Sequence, residues 1–185
     1  HLKFLFTNIH LYYNITMKIN RESLDYGIIG NCKSSALVKK DTSIDWCCLP
    51  QFDSDSIFCK ILDEEIGGYF KIECDKKYKI NQKYFRNTCV LQTNFSNGEN
   101  EFEVIDFMPR FKKENGKYYT PPEISRILKL KKGKPKFKVL YDPKLAFASG
   151  NTRTYKKENF IVSIVDEKKY ETLFLYTNLD KDSII

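Results

Sequence analysis

Histidine is almost missing from this sequence: His1 and His10 are the only two in 185 residues. Six cysteines stand at positions 32, 47, 48, 59, 74 and 89, and no Cys-x-x-Cys pair occurs among them. A zinc site draws on those two side chains above all, so no metal is expected. A phosphate loop is missing as well. Gly27-Ile-Ile-Gly30 has no Lys-Ser/Thr at the needed spacing and no helix pattern behind it, and no cofactor is expected. No stretch approaches the roughly 18 apolar residues that cross a bilayer as a helix, so a membrane partner is not expected either. There is no internal repeat and no low-complexity tract, and Trp46 is the single tryptophan.

What is present is the material of a packed, strand-rich globule. Hydrophobic residues make up 42 % and aromatics 15 %, with 14 Phe and 12 Tyr spread along the chain. A chain of this length holds one core, since about 150 residues already bury roughly 70 % of their unfolded surface. The charge is +7, from 31 basic and 24 acidic side chains, which raises binding to a polyanion. The lysines are interspersed with acids, however, and the densest group, Lys129 to Lys138, surrounds Gly133 where a turn holds it in water. No nucleic-acid partner is expected. Adjacent Cys47 and Cys48 point to opposite faces of a strand and do not bridge each other. Buried, reduced thiols in a cytoplasmic protein are the expectation. Residues 1–16, HLKFLFTNIHLYYNIT, lack a small-residue cleavage site, and Met17 begins a different composition. They read as upstream translated sequence, with a leftover export signal as the alternative, and residues 17–185 as the domain.

From Tyr69 onward short alternating segments are separated by turn residues, the pattern of antiparallel sheet. Thr88–Phe95 and Asn100–Met108 flank Asn97-Gly98, a strong hairpin signal because both turn positions favour positive φ. Phe102 and Val104 then share one face, Glu101 and Glu103 the other. A second hairpin is expected between Ile124–Leu130 and Phe137–Tyr141, turning at Lys132-Gly133-Lys134. A third pairs Phe160–Val165 with Glu171–Thr177 across a charged Asp-Glu-Lys-Lys turn. Earlier, Ile29 and Gly30 end one strand, Ala36–Val38 form a second, Asp41–Ser43 turn, and Ile44–Leu49 form a third that Pro50 stops. One stretch, Ser54–Leu62, carries a helical pattern, with Asp53 and Asp55 placed to cap it and Asp63–Glu65 as its solvated end. The Asn94-Phe95-Ser96 sequon falls inside a strand and is discounted. The fold class is therefore all-β, an antiparallel β-sandwich with one short helix.

The segment IGNCKSSALVKKDTSIDWCCLPQFDSDSIF, Ile29 to Phe58, resembles the opening of family 15 glycoside hydrolases of the trehalase and bacterial glucoamylase type. Gly67-Gly68, Val90–Thr93 (VLQT), Asp106–Pro109 (DFMP) and Tyr141–Thr152 (YDPKLAFASGNT) follow in the family's order. The resemblance covers residues 25–177. It departs at Gln51, where the family commonly has Arg, and at Thr42, where Gly is usual. Thr resists the positive φ that such a turn asks for.

The resemblance implies an N-terminal β-supersandwich packed on a C-terminal (α/α)6 barrel, and that barrel carries the two glutamates of inverting hydrolysis. Two carboxylates are needed because one protonates the leaving oxygen while the other activates water on the opposite sugar face. No segment matching that barrel occurs here, so no catalytic residue is assigned, and the sandwich is expected to be shortened at its C-terminal end. The implied partners are the helical barrel, in cis or from an adjacent reading frame, and an α-glucoside or trehalose as substrate of the whole enzyme. Trp46, Phe52 and Asp53 are the candidates for a sugar-facing rim, an aromatic face beside a carboxylate acceptor. Against that stand core packing for Trp46 and helix capping for Asp53. The competing class is a free-standing sandwich that binds carbohydrate or polyanions.

Overall fold

Alternation written into the sequence becomes sheet almost everywhere in the computed structural model, which describes residues 25–166 and 171–184. The first 24 residues, including the segment read above as upstream sequence, lie outside the described residues. Strands β1 (Tyr26–Gly30), β2 (Ser35–Lys39), β3 (Ile44–Cys48), β4 (Ser56–Phe58), β5 (Tyr69–Cys74), β6 (Lys79–Tyr84), β7 (Leu91–Ser96) and β8 (Glu101–Phe107) come first. Then follow β9 (Phe111–Lys112), β10 (Tyr118–Tyr119), β11 (Ser125–Lys132), β12 (Phe137–Asp142), β13 (Thr152–Lys156), β14 (Ile161–Val165) and β15 (Thr172–Leu175). They make a six-stranded sheet in the order β1-β2-β3-β5-β12 with β4 on β3, a four-stranded sheet β11-β8-β7-β6, a three-stranded sheet β13-β14-β15, and the separate pair β9-β10.

The core fills the space between the two large sheets. Ile29, Ala36, Val38, Ile44 and Cys47 face inward from the first, and Leu91, Phe95, Phe102 and Val104 from the second, all almost wholly buried. Phe95 and Phe102 stack at 4.5 Å between centroids, and Phe102 reaches Phe137 of the opposite sheet at 5.7 Å. Gly27 permits this closeness, since a Cβ there would lie 2.6 Å from Leu91 Cδ2. At the open edge of β1 the Tyr84 hydroxyl donates to the Ile28 carbonyl and accepts from the Ile28 N–H. The central pair of edge backbone groups, those of Ile28, is thereby withheld from templating another chain.

The family-like motifs turn out to be devices that join these layers. Asn31 sits fully buried, its Oδ1 accepting the N–H groups of Lys33 and Ser34 and its Nδ2 donating to the Pro121 carbonyl. Ser43 Oγ and Tyr26 OH both donate to the buried Asp45 carboxylate. Asp106, with no exposed surface, takes Arg126 Nε at 2.7 Å. The same guanidinium donates to the carbonyls of Phe70 in the opposite sheet and of Thr42 in the turn between β2 and β3. Burial pushes the Asp106 carboxyl up and Arg126 pulls it back.

Several expectations are corrected. Ser54–Leu62 is not a helix: Ser56–Phe58 pairs with β3, Leu62 N–H bonds back to Cys59 as a turn, and no α-helix forms among the described residues. Ile57, Phe58 and Cys59 are all buried in a row, so the run that imitated a helical face is a strand enclosed on both sides. Asp53 therefore has no helix to cap, and Asp63 instead accepts the N–H groups of Glu65 and Ile66 in an exposed loop.

The strands flanking Gly133 do not form a hairpin; β11 pairs with β8 and β12 with β5, so the chain crosses between sheets there. Asn97-Gly98 does connect a hairpin, but through four residues with only Gly98 at positive φ; Asn97 Oδ1 holds the N–H groups of Glu99 and Asn100. The third hairpin forms as expected, β14 against β15, with β13 added on its other side; residues 167–170 of its turn lie outside the described residues. Thiols 47, 48 and 59 are buried and unbridged, while Cys32 and Cys89 are exposed.

Candidate functional site

Counting register across the first sheet places Ile28 beside Leu37 and Leu37 beside Trp46. With the core filled by Ile29, Ala36, Val38 and Cys47, the row falls on the sheet's other face. Ile28 is 56 % exposed, and Leu37 and Trp46 are half-buried. Trp46 is thus not a core residue. Its ring meets Phe147, itself 46 % exposed, at 6.2 Å. Phe147 stands in a left-handed turn in which Ala146, Phe147 and Ala148 have φ of 55°, 56° and 56°. Non-glycine residues pay roughly 1–2 kcal/mol each for that conformation. The turn is held by Leu145, which is buried, and by the Thr152 hydroxyl on the Leu145 N–H. The outcome is a four-residue apolar row open to solvent.

Phe52 and Asp53 lie away from that row, at the tip of the turn that follows β3. Phe52 is 59 % exposed and Asp53 is exposed. The turn is fixed from both sides: Phe52 N–H donates to the Lys33 carbonyl, and Gln51 N–H to Ser54 Oγ. Among the described residues no ring contact joins Phe52 to Trp46; Phe52 and Asp53 stand on the turn that leaves β3, while Trp46 stands within β3.

A feature that the sequence did not disclose lies between β15 and the Leu49–Ile57 stretch. Two adjoining cavities of about 440 and 540 Å³ share the walls Leu49, Ile57, Pro122, Glu123, Leu173 and Tyr176. The larger is also lined by Asp55 and Glu171, so three carboxylates from distant segments meet at it. Ser56, with no exposed surface and a hydroxyl that lacks a hydrogen-bond partner, is among its lining residues. On the smaller cavity the Tyr141 hydroxyl is pushed up to about 12 by burial, with Ser163 pulling it back. Nothing local in the sequence marks this cleft, because its walls meet only once β11 and β12 part to different sheets. Among the described residues no group of three or more His, Cys, Asp or Glu is placed to hold a metal ion, and no helix is long and apolar enough to cross a membrane.

Comparison with known proteins adds the following. The model of the family described as trehalase-like, N-terminal, matches residues 9–168. Trehalase 2 of Sulfolobus acidocaldarius is 33 % identical over 157 residues, which is 85 % of this chain and 24 % of that protein. The trehalase of Thermoplasma volcanium is 38 % identical over 121 residues, 63 % of this chain and 19 % of its own length. Trehalase 1 of S. acidocaldarius is 40 % identical over 83 residues, 45 % of this chain and 14 % of its own. The chain thus spans about a quarter or less of the length of these relatives. No solved structure matches.

Proposed function

This chain belongs to the trehalase-like N-terminal family, and from that premise we propose that it is the non-catalytic β-sandwich of a trehalase or glucan α-glucosidase, working with a helical barrel that supplies acid and base. The observation that carries this reading is the coverage: the match runs along most of this chain while occupying only 24 % of the first relative. The three buried carboxylates, Asp45, Glu103 and Asp106, have structural duties. Asp106 holds Arg126, Asp45 fixes a turn, and Glu103 binds Lys131 at 3.0 Å and Gln92 at 2.6 Å. An inverting pair must instead stand about 6.5–9.5 Å apart across a bound sugar.

In this reading the Ile28–Leu37–Trp46–Phe147 row is the seat of the helical barrel, since contiguous exposed apolar surface of this kind marks a binding face. A covered partner domain fits such a face better than a free-standing binding module does. Phe52 and Asp53, rigidly presented just beyond it, rim the sugar site, with Trp46 at the boundary between docking face and rim. The free cysteines fit a cytoplasmic enzyme.

The test is kinetic. In the complete enzyme Asp53→Ala raises KM for trehalose while kcat changes little; unchanged kinetics with a lowered melting temperature would assign Asp53 to structure instead. This chain alone releases no glucose from trehalose or maltooligosaccharides. Clear release that a single carboxylate substitution abolishes would overturn the proposal.

A further inference from the structure

Between β8 and β11 the chain leaves both sheets to form the small β9-β10 pair, whose residues 110–119 are all exposed. It is an unusual thing to hold in water. Phe111 is 53 %, Tyr118 54 % and Tyr119 40 % exposed. Arg110 lies over the Tyr118 ring at 3.8 Å and Lys113 over Tyr119 at 4.7 Å. Lys112 and Lys117 add two more cations, against the single acid Glu114. Its base is rigid, because Asp106 and Arg126 join its two roots and Asn31 grips the Pro121 carbonyl. Among the described residues, none of these four cations makes an ion pair.

At the root of this arm opens the cleft described above. Pro122 and Glu123, just past β10, form one of its walls, and Asp55 and Glu171 add acid from two others. Apart from Ser54, Ser56 and Thr172 the rest of its lining is apolar or aromatic, with Phe174 48 % and Tyr176 70 % exposed. Ser56, whose buried hydroxyl has no hydrogen-bond partner, is also among its lining residues. Arm and cleft are therefore opposites in charge and alike in apolar character, and they adjoin on one molecule.

We propose that the basic aromatic arm of one copy of this chain docks in the acidic apolar cleft of a second copy, and the second copy's arm in the first copy's cleft. A two-fold dimer requires a self-complementary patch, in which each half meets the other half of its mate. An arm rising from the rim of its own cleft meets that requirement. Docking places Phe111 and Tyr118 against Leu49, Leu173 and Phe174, and sets Arg110 and Lys113 opposite Asp55, Glu123 and Glu171. Three half-exposed rings per arm, at about 150–250 Å² a ring, with matching area on the cleft, bring the two contacts to roughly the 1,200 Å² at which stable interfaces begin. This pairing is independent of the hydrolase reading, because it uses neither the Trp46 row nor Asp53.

Charge reversal in both halves tests it. Arm variant Arg110→Glu/Lys113→Glu and cleft variant Glu123→Lys/Glu171→Lys are each compared with the unaltered chain by sedimentation velocity over a concentration series. The expected result is a dimer of the unaltered chain that salt weakens, and at least a tenfold loss of association in each variant alone. An equimolar mixture of the two variants restores the dimer, since acidic arm then meets basic cleft and basic arm meets acidic cleft. Circular dichroism and melting curves establish that each variant is folded. The proposal fails if the unaltered chain stays monomeric throughout, if neither reversal weakens the dimer, or if two folded variants remain monomeric when mixed.

Discussion

At position 42 the backbone turns left-handed, with φ of 72°, on a threonine that is completely buried. The family usually places glycine here, where no Cβ opposes that conformation. What holds the threonine is its hydroxyl, which accepts the Ile72 N–H and donates to the Ile72 carbonyl, both at 3.2 Å. Strand β3 pairs with β5 only at Ile44 and Phe70, so the side chain stands in for the missing next rung. Its own carbonyl is bound by Arg126 Nη2 at 2.6 Å. Two substitutions separate strain from bonding. Thr42→Gly relieves the roughly 1–2 kcal/mol of left-handed strain but loses bonds of about 1 kcal/mol, and leaves stability nearly unchanged. Thr42→Val keeps the strain, orphans a buried N–H, and loses about 1–3 kcal/mol. Urea unfolding reads the difference; equal losses in both would mean that the left-handed strain carries no weight, and no loss in Thr42→Val that the hydroxyl carries none.

Whole elements show where local pattern suffices and where it does not. The turn and three strands between Tyr26 and Leu49 were legible because short aliphatic runs are bounded by turn residues, Asp41–Ser43 between β2 and β3 and Pro50 after β3, and such punctuation needs no knowledge of the rest of the chain. The β14-β15 hairpin was legible for the same reason. The Ser54–Leu62 segment was not: a short strand buried on both faces has no alternation, and its apolar residues fall by chance at helical spacing. The crossing at Gly133 was hidden for a different reason, since the residue that directs it is distant in sequence. Asn100 Oδ1 accepts the Lys134 N–H at 2.7 Å and lies against Gly133, whose φ is 69°. A Cβ at 133 would stand 2.3 Å from that oxygen and 2.6 Å from the Glu99 carbonyl. Gly133→Ala thus strains the backbone and pushes the loop off its anchor, lowering stability by more than about 1 kcal/mol. Gly116→Ala is the control, with similar φ of 79° but nothing near the added methyl. A melting temperature reduced equally by both would show that the crossing rests on φ alone and not on Asn100.

For the molecule as a whole, the proposed rim and docking face stand at different depths of inference. Phe52 and Asp53 were visible as residue types in a family-like segment, but their separation from Trp46 required the strand register and the turn after it. The apolar row required one thing more, that Phe147 be thrown outward by a left-handed turn no sequence rule would place there. If that row seats the helical barrel, one charge at its centre is enough to unseat it. Leu37→Asp sits between Ile28 and Trp46 on the outer face, so the isolated sandwich should keep its melting behaviour while losing the partner. Trp46 is the chain's only tryptophan, and its fluorescence reports the outcome directly: adding a separately prepared helical portion shifts its emission to the blue in the unaltered chain and leaves it unmoved in the variant. Hydrolysis by the complete enzyme falls in parallel. Full activity together with a normal blue shift in Leu37→Asp would place the barrel on some other face of the sandwich.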